Sequence, residues 1–275
     1  LHTVEAARHE GGAATEDRPQ RGAHRRFAEL ARRAERELLP RFDLVLAASE
    51  ADRRRVESTA PGTRVVVYPN AIPERFPEAA GEEHCVAFSG NLEYHPNVAA
   101  VRYFAREVWP ALRERDPALR WRLIGKNEQA VARWTRGDPR IETTGAVEDA
   151  LAELARARVV VVPLLAGSGT RIKILEAWAA SRAVVSTRVG AEGLPAVSGE
   201  NLLLADSPGE ILEGILVLLR EAALRRRLGE AGRRLVEEQF SWPAVWRGLD
   251  QELGVELEKP TSCDSPSMRT RSGRS

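Results

Sequence analysis

The sequence contains few of the residues that build disulfide frameworks, metal sites or membrane spans. Its two cysteines, Cys85 and Cys263, form no framework or metal motif, so a reducing compartment such as the cytoplasm is the simpler expectation. His84 and His95 have no third ligand at zinc spacing, and we expect no metal or other cofactor. No apolar run approaches the length of a membrane span, and no signal-peptide pattern is present. A formal net charge of +1 gives no reason to expect a nucleic-acid partner.

Lysine is scarce, although lysine and arginine together number 41. It occurs only at Lys126, Lys173 and Lys259. In a chain this rich in arginine, a retained lysine suggests that a compact, rotatable ammonium is needed. The alternative is that the lysine has no special role and merely escaped a codon bias toward arginine. Lys173 stands at the expected start of a helix, and Lys126 follows an expected strand end, where open parallel sheets bind ligands. Both lysines are therefore candidate ligand contacts.

The segment VVVVPLLAGSGTRIKILEAWAASRAVVSTRVGAEGL, residues 159–194, carries the clearest functional pattern. Val159 to Val162 are four β-branched residues in a row, as in a parallel strand covered on both faces. Small residues make up the loop 166–170, so a ligand can approach its backbone closely. Ser168 or Thr170 is placed to cap the following helix, whose free N–H groups favour an anion.

Two charged residues follow at the start of that helix. Lys173 and Glu176 are three positions apart and hence neighbours, which places a cation and a carboxylate just beyond the anion site. Ile172, Leu175 and Ala179 are expected to face the sheet. This combination is typical of a site that binds a phosphate together with sugar hydroxyls, as a nucleotide sugar requires.

Strand and helix patterns alternate through most of the chain, which predicts an α/β fold. Six strand candidates with helical crossovers make a doubly wound parallel sheet, and its ligands bind beyond the carboxyl ends of the strands. Loops at Gly90, Gly125, Gly145, Gly167 and Gly190 all follow such ends. The strand candidates are 85–89, 120–124, 140–143, 159–162, 183–186 and 202–204.

Five segments, in order and in register, resemble glycosyltransferase family 4. The run GSGTRIKILEAWAASRAVVST, followed by VGAEGL, is similar to the donor-binding segment of that family. The other four are FDLVLAASE (42–50), VYPNAI (67–72), FSGNL (88–92) and TGAV (144–147). The resemblance covers residues 1–253 and implies a retaining enzyme of the two-domain GT-B fold. Such an enzyme uses a nucleotide-diphosphate sugar and needs no metal.

The resemblance also assigns roles to individual residues. Glu176 would hold the ribose hydroxyls, and the backbone near Val147 would contact the base. Lys173 and Arg171 would neutralise the leaving diphosphate, and they are the catalytic candidates together with His2, which would lie beside the donor sugar. A histidine so near the chain end is, however, more often frayed and exposed. The further donor-binding candidates are Gly90, Asn91, Gly125, Lys126, Gly167, Ser168, Gly169 and Thr170.

The sequence departs from the family pattern in two places. Ser168 stands where the family often has a first glutamate that touches the donor sugar. The loop GNLEYHPN, residues 90–97, lacks the arginine and lysine that often neutralise the diphosphate. Arg171 and Lys173 are then the best-placed cations for that purpose.

The expected organisation is a complete donor domain with part of a second one. The predicted units are the C-terminal part of an acceptor-side α/β domain at 1–68, a linker at 69–83, a doubly wound donor-binding domain at 84–240, a crossover helix at 241–257 and a disordered tail at 258–275. The start at Leu1 without methionine suggests that the true beginning is missing, so the active site is expected to be incomplete. Arg269, Arg271 and Arg274 give the tail a weak attraction for anionic lipid, hence a possible peripheral contact with the inner face of the membrane.

The predicted function is transfer of a sugar from a nucleotide diphosphate to a saccharide or lipid-linked acceptor, in polysaccharide or glycoconjugate synthesis. A nucleotide-binding module without catalysis and a sugar-nucleotide epimerase on the same fold remain alternatives. A nicotinamide-dependent dehydrogenase is disfavoured because no G-x-G-x-x-G pattern follows the strand that ends at Ser89. Glu192 is expected in a solvated turn, and Arg53-Arg54-Arg55 on a solvated helix face.

Overall fold

Two parallel sheets organise the chain. The computed structural model describes residues 4–15, 18–73, 76–77, 81–166 and 171–254. The strands are β1 (Val45–Ala47), β2 (Val65–Val67), β3 (Glu83–Ser89), β4 (Arg120–Ile124), β5 (Ile141–Thr143), β6 (Ala157–Val162), β7 (Ala183–Ser186) and β8 (Leu203–Leu204). The α-helices are α1 (Glu5–Thr15), α2 (Arg18–Leu38), α3 (Glu50–Thr59), α4 (His95–Tyr103), α5 (Trp109–Arg115), α6 (Ala132–Thr135), α7 (Ala150–Ala155), α8 (Ile172–Ala179), α9 (Pro208–Arg220), α10 (Ala222–Leu235) and α11 (Trp242–Leu253). Two π-helical segments, Phe104–Val108 and Val236–Phe240, continue α4 and α10.

The larger sheet is parallel throughout and has the strand order β5-β4-β3-β6-β7-β8. The order reverses between β3 and β6, which pair through Val86 with Val159 and Ala87 with Val160. In open parallel sheets, ligands bind in the crevice beyond the carboxyl ends of the strands at such a reversal. The predicted doubly wound sheet is confirmed, and the loops after β3 and β6 are where a ligand is expected.

The interior of this sheet is apolar because the central strands are covered by helices on both faces. The four valines at 159–162 of β6 are all buried, as the sequence predicts. On β4, Trp121 is buried beside Phe104, with ring centroids 4.7 Å apart. Trp178 of α8 is also fully buried, and its indole N–H donates to the carbonyl oxygen of Asn201 at 2.9 Å. These large aromatic residues therefore fill the core of the larger sheet rather than a ligand site.

The smaller sheet pairs β1 with β2, with Val45 opposite Val65. A second core, separate from that of the larger sheet, joins this pair to the first helices through Val4, Leu39, Val45, Val56 and Ala60. Helix α1 was not predicted, because its sequence EAARHEGGAAT is polar and rich in small residues. It is held instead by packing against α2.

The C-terminal helix α11 returns to the first part of the chain. Ile72 donates its backbone N–H to the carbonyl oxygen of Phe240 at 2.7 Å, just before α11 begins. Trp246 of α11 lies edge-on to Tyr68, with ring centroids 5.9 Å apart. Trp242 and Trp246 are 44% and 46% exposed, so they do not belong to a core. Trp246 instead packs on Tyr68, and Trp242 stacks on Trp246.

One packing prediction for α8 is wrong. Ile172 is 43% exposed, whereas Ile174, Leu175, Ala177 and Trp178 are buried. The reason is that α8 begins at Ile172, so this side chain projects from the open end of the helix rather than onto the sheet. Within the described part of the chain, none of the helices is both long and apolar enough to cross a bilayer.

Close backbone contact between α10 and the turn after α8 makes Gly229→Ala a test of the fold. A Cβ at Gly229 would lie 2.2 Å from the carbonyl oxygen of Ser181, and a backbone oxygen cannot swing aside. We expect the free energy of unfolding to fall by about 2 kcal/mol, as for other overpacked sites. Urea denaturation measures this change.

The matched control is Gly214→Ala within α9. A Cβ there would meet the Val185 side chain at 3.5 Å, an ordinary van der Waals distance. Because alanine favours helix over glycine, this variant should be as stable as the parent protein or more stable by up to about 1 kcal/mol. Equal losses in the two variants would contradict the proposed packing of α10.

Candidate functional site

The loop after β3 approaches α8 so closely that its first residue must be glycine. Gly90 has φ 139°, in the region that favours glycine, and a Cβ there would lie 2.0 Å from Nζ of Lys173. Its backbone N–H donates to the carbonyl oxygen of Ile124 at 2.8 Å, which ties the loop to the end of β4.

Gly125, the first residue after β4, has the same requirement. Its φ is 142°, and a Cβ there would lie 2.0 Å from the carbonyl oxygen of Gly90. Gly125 also bridges to Gly145, which follows β5. The structure therefore brings the loops after three neighbouring strands together on one rim of the sheet, as the sequence predicts.

Lys173, on the first turn of α8, reaches across this rim. Its Nζ donates to the carbonyl oxygen of Ser89 at 2.7 Å and lies 5.1 Å from the ring centroid of Phe88. The side chain is partly buried, and this burial lowers the pKa of Lys173 from its ordinary value of 10.5 to about 8. Glu176 opposes the shift, and the charge of Arg171 adds to it. A desolvated cation therefore stands at the point where the strand order reverses.

Glu176 contacts the same residue of β3. Its Oε2 accepts from Oγ of Ser89 at 3.4 Å. Burial raises the pKa of Glu176, while the charge of Lys173 and the Ser89 hydroxyl lower it. Lys173 and Glu176 thus both form hydrogen bonds with Ser89. The ammonium donates to its carbonyl oxygen, and the carboxylate accepts from its hydroxyl group.

Arg171, the second cation predicted to neutralise the diphosphate, lies near Lys173 and adds to the electrostatics of the site. The side chain is buried, and its Nη2 donates to Oε2 of Glu192 at 3.2 Å. Burial lowers the pKa of Arg171, and the charges of Glu192 and Asp52 oppose this effect. The guanidinium therefore lies beside the site with a carboxylate partner of its own.

Glu192 is the residue that the sequence analysis missed. It was expected in a solvated turn, yet it binds Arg171 on one side and Nη2 of Arg55 on the other. Arg55 also donates to Oδ1 of Asp52 at 3.1 Å. The expectation that all of Arg53-Arg54-Arg55 is solvated is therefore wrong for Arg55. No local pattern reveals this contact, since Arg55 and Glu192 are far apart in sequence.

The same place holds the two parts of the chain in close contact. Gly193, with φ 82°, lies so near α3 that a Cβ there would be 3.0 Å from Cβ of Ser49. Ser49 caps α3 by accepting from the backbone N–H of Asp52. The start of α3 therefore packs directly on the turn after β7, next to Arg171.

The remaining predicted residues lie at varying distances from this centre. Asn91 accepts at Oδ1 from Nδ2 of Asn127 at 2.9 Å, so its side chain stabilises the rim. Lys126 has an exposed side chain, and its carbonyl oxygen accepts from Leu92 at 3.0 Å. Val147 is partly buried against the core. The predicted site residues His2, Gly167, Ser168, Gly169 and Thr170 lie outside the described residues.

His84, near the amino end of β3, takes part in a structural contact away from the rim. The ring of His84 contacts Oδ2 of Asp116 at 2.8 Å and Nη1 of Arg158 at 2.7 Å. Over the described ranges, no group of three or more His, Cys, Asp or Glu side chains is placed to hold a metal ion. The absence of a metal requirement stays a prediction.

Comparison with known proteins identifies the family. The family model described as "Glycosyl transferases group 1" matches residues 83–221, slightly more than half of the chain. The chain belongs to the group 1 glycosyltransferases. The matched region runs from β3 through α9 and contains the whole of the larger sheet.

Two curated relatives are similar to parts of this chain. An uncharacterized glycosyltransferase of Methanocaldococcus jannaschii is 38% identical over 77 residues, which are 27% of this chain and 22% of that protein. An uncharacterized 44.6 kDa protein in the cps region of Klebsiella pneumoniae is 26% identical over 175 residues, 61% of this chain and 45% of that protein. The chain thus spans less than half the length of either relative.

Solved structures show the GT-B fold for this group 1 glycosyltransferase. Sucrose-phosphate synthase of Thermosynechococcus elongatus gives a TM-score of 0.72 at 19% identity, over 92% of this chain and 66% of that chain. Anabaena HepE, solved with UDP and glucose, gives a TM-score of 0.69 at 17% identity, over 94% of this chain and 70% of that chain. S. aureus TarM, solved with UDP, gives a TM-score of 0.70 at 14% identity, over 91% of this chain and 49% of that chain.

Coupling between Lys173 and Glu176 gives a direct prediction for the site. The carboxylate of Glu176 raises the pKa of Lys173, so Glu176→Gln should lower that pKa below about 8. The chain has three lysines, so NMR of ¹³Cε-labelled lysine gives few signals, and the loss of one in Lys173→Met assigns Lys173. Glu213→Gln, a surface change on α9, is the matched control. A Lys173 pKa that is the same in both glutamate variants would contradict the coupling.

Proposed function

We propose that this group 1 glycosyltransferase is a retaining enzyme of family 4. It transfers a sugar from a nucleotide diphosphate to a saccharide or lipid-linked acceptor. The observation that carries the proposal is the position of Lys173, a desolvated ammonium at the strand-order reversal, on the first turn of α8 and against the backbone of β3. Burial of a cation is unfavourable unless an opposite charge compensates, and a diphosphate would supply that charge.

Lys173 has donors available for such a ligand. An ammonium carries three N–H groups, and the described contact with the Ser89 carbonyl uses one of them. Gly90 leaves the neighbouring space without a side chain, so a phosphate oxygen can approach the ammonium. In the reaction, Lys173 stabilises the negative charge that grows on the leaving diphosphate.

Arg171 contributes a second positive charge to this region. Its present partner is Glu192, so its attraction for a diphosphate is reduced. We propose that Lys173 makes the direct contact, with Arg171 adding to the local field. The backbone N–H groups at 167–170 and the side chain of His2 remain predicted donor contacts.

The nucleoside portion would occupy the rest of the rim. Glu176 accepts hydrogen bonds from the ribose hydroxyls, and the backbone near Val147 contacts the base. Gly90, Asn91, Gly125 and Lys126 line the approach between them. HepE and TarM, which share the fold, were each solved with UDP, and this supports the choice of a nucleoside diphosphate.

We propose the following cellular setting. The Klebsiella relative is encoded in a cps region, which supports polysaccharide or glycoconjugate synthesis. The low cysteine content favours the cytoplasm. A peripheral contact with the inner face of the membrane would fit a lipid-linked acceptor. No metal or nucleic acid takes part in the proposed reaction.

Titration of UDP, GDP and ADP into the chain tests the donor site. One diphosphate should bind, and Lys173→Ala should weaken it about ten- to hundred-fold, because a hydrogen bond to a charged group contributes about 1.5–3 kcal/mol. Glu176→Ala should also weaken binding through the loss of the ribose contact. Arg226→Ala, an exposed charge on α10, controls for the general effect of lost charge and should bind normally. Unchanged affinity in folded Lys173→Ala would contradict the proposal.

The pKa of Lys173 predicts how this affinity depends on pH. Below about pH 8 the ammonium is protonated before and after binding, so affinity is highest. Above about pH 8 Lys173 is deprotonated in the free protein but protonated in the complex. Binding then requires the uptake of a proton, so the affinity for the diphosphate should fall by up to about ten-fold per pH unit. Lys173→Met should bind weakly and show no such decline. Calorimetry between pH 7.5 and 9.5 measures both curves, and parallel declines would exclude Lys173 as the cause.

Turnover and stereochemistry require a separate measurement. Incubation of the bound nucleotide's sugar derivative with candidate acceptors, followed by NMR of the product's anomeric proton, should show the donor configuration retained. An inverted product would contradict the retaining mechanism. Binding of the diphosphate without turnover on any acceptor would favour the nucleotide-binding module.

A further inference from the structure

A cavity lies among α1, α2 and α3, in the first part of the chain. Its volume is about 420 Å³, which is within the range of small-molecule sites. Part of its wall is apolar, formed by small side chains of α1 and Ala51. The polar lining is Glu10, Arg32, Arg54, Arg55, Ser58 and Thr59. Three guanidinium groups and two hydroxyl groups therefore face one carboxylate.

The arginines of this cavity differ in how strongly they are paired. Arg32 forms an ion pair with Glu10, the cavity's own carboxylate. Arg54 is 68% exposed, and its contact is with Oε1 of Glu50 at 3.6 Å, longer than a hydrogen bond. That same oxygen accepts from Arg53 at 2.6 Å, so it is already engaged. Arg54 is therefore the cation of this cavity with the weakest hold on a carboxylate.

Arg55 places the cavity beside the contact between the two parts of the chain. It lines the cavity and also binds Glu192, which in turn binds Arg171 next to Lys173. Ser58 and Thr59 are three and four residues after Arg55, so they continue the same face of α3 about one turn further along the helix. A ligand in this cavity would thus lie on the acceptor side, adjacent to the cleft with the donor site.

We propose that this cavity binds an anionic group, a carboxylate or a phosphate, carried by the acceptor. Guanidinium groups bind both kinds of anion through paired hydrogen bonds, and the hydroxyls of Ser58 and Thr59 donate to the same oxygens. The assignment to the acceptor rests on the proposed glycosyltransferase function, whereas the anion site itself does not. The anion belongs either to an acidic saccharide or to a prenyl-linked phosphate.

The experiment titrates the full chain with glucuronate, geranyl phosphate and glucose, followed by NMR. Glucuronate represents the acidic saccharide and geranyl phosphate the lipid-linked acceptor, while glucose is the neutral reference. At least one anion should bind at least five-fold more tightly than glucose, and the tighter one identifies the source. Arg54→Gln should weaken binding of that anion at least five-fold, because it removes a positive charge from the cavity. The side chain of Arg54 is exposed, so the variant should fold as the parent chain does.

Arg53→Gln is the matched control. It removes the same charge from the same turn of α3, but Arg53 does not line the cavity. It should change the anion's affinity less than two-fold. Equal weakening by Arg53→Gln and Arg54→Gln would show general attraction to a basic surface, which would overturn the proposal. The proposal is also overturned if neither anion binds more tightly than glucose.

Two further titrations distinguish binding at this cavity from binding at the donor site. Lys173→Ala should leave anion binding within two-fold, and a loss there without a loss in Arg54→Gln would place the anion at the donor site and overturn the proposal. Arg54→Gln should leave nucleoside diphosphate affinity within two-fold. If no nucleoside diphosphate binds the parent chain, the proposed function fails, while Arg54-dependent anion binding would still support the cavity.

Discussion

The contact of Lys173 with the backbone of Ser89 is the interaction on which the candidate site depends. It requires α8 to start directly against the end of β3, and it requires glycine at position 90 because any Cβ would occupy the place of the ammonium. Gly125 repeats this condition one strand further along, where the Gly90 carbonyl fills the space of a side chain. The rim is therefore assembled from backbone, with the partly buried ammonium of Lys173 at its centre. A surface of this kind suits a phosphate, because a side chain would block its approach.

Burial, more than the number of charges, determines how the ionisable groups of the site behave. Lys173 and Glu176 are each pushed toward the neutral form by desolvation, and each limits the shift of the other. Arg171 experiences the same desolvation, and Glu192 compensates it. Glu192 also binds Arg55 from α3, so the electrostatics around Arg171 include a residue from the first part of the chain.

Local patterns were sufficient to predict the larger sheet. The valine run of β6, the short apolar segments of β3 and β4 and the glycines that follow them are recognisable because a strand buried on both faces needs apolar residues throughout. The start of α11 at Ser241 was recognisable for a similar reason, since a helix N-terminus needs a side-chain acceptor. Helix α1 was not recognisable, because packing against α2 stabilises a sequence without an apolar stripe. Ile172 was misplaced because periodicity does not reveal at which residue a helix begins.

For the site, the sequence by itself determined the chemical types and their order along the chain. Lys173 and Glu176 are neighbours in any helix, and the glycines after the strands follow from parallel topology, because carboxyl ends of parallel strands share one edge. Only the tertiary structure decided which carboxylate Arg171 binds, that Arg55 reaches Glu192, and that three arginines surround one cavity. These contacts join residues from distant segments, and their geometry depends on how helices pack between the two sheets. Periodicity encodes the face of one element, but it contains no information about which faces of separate elements meet.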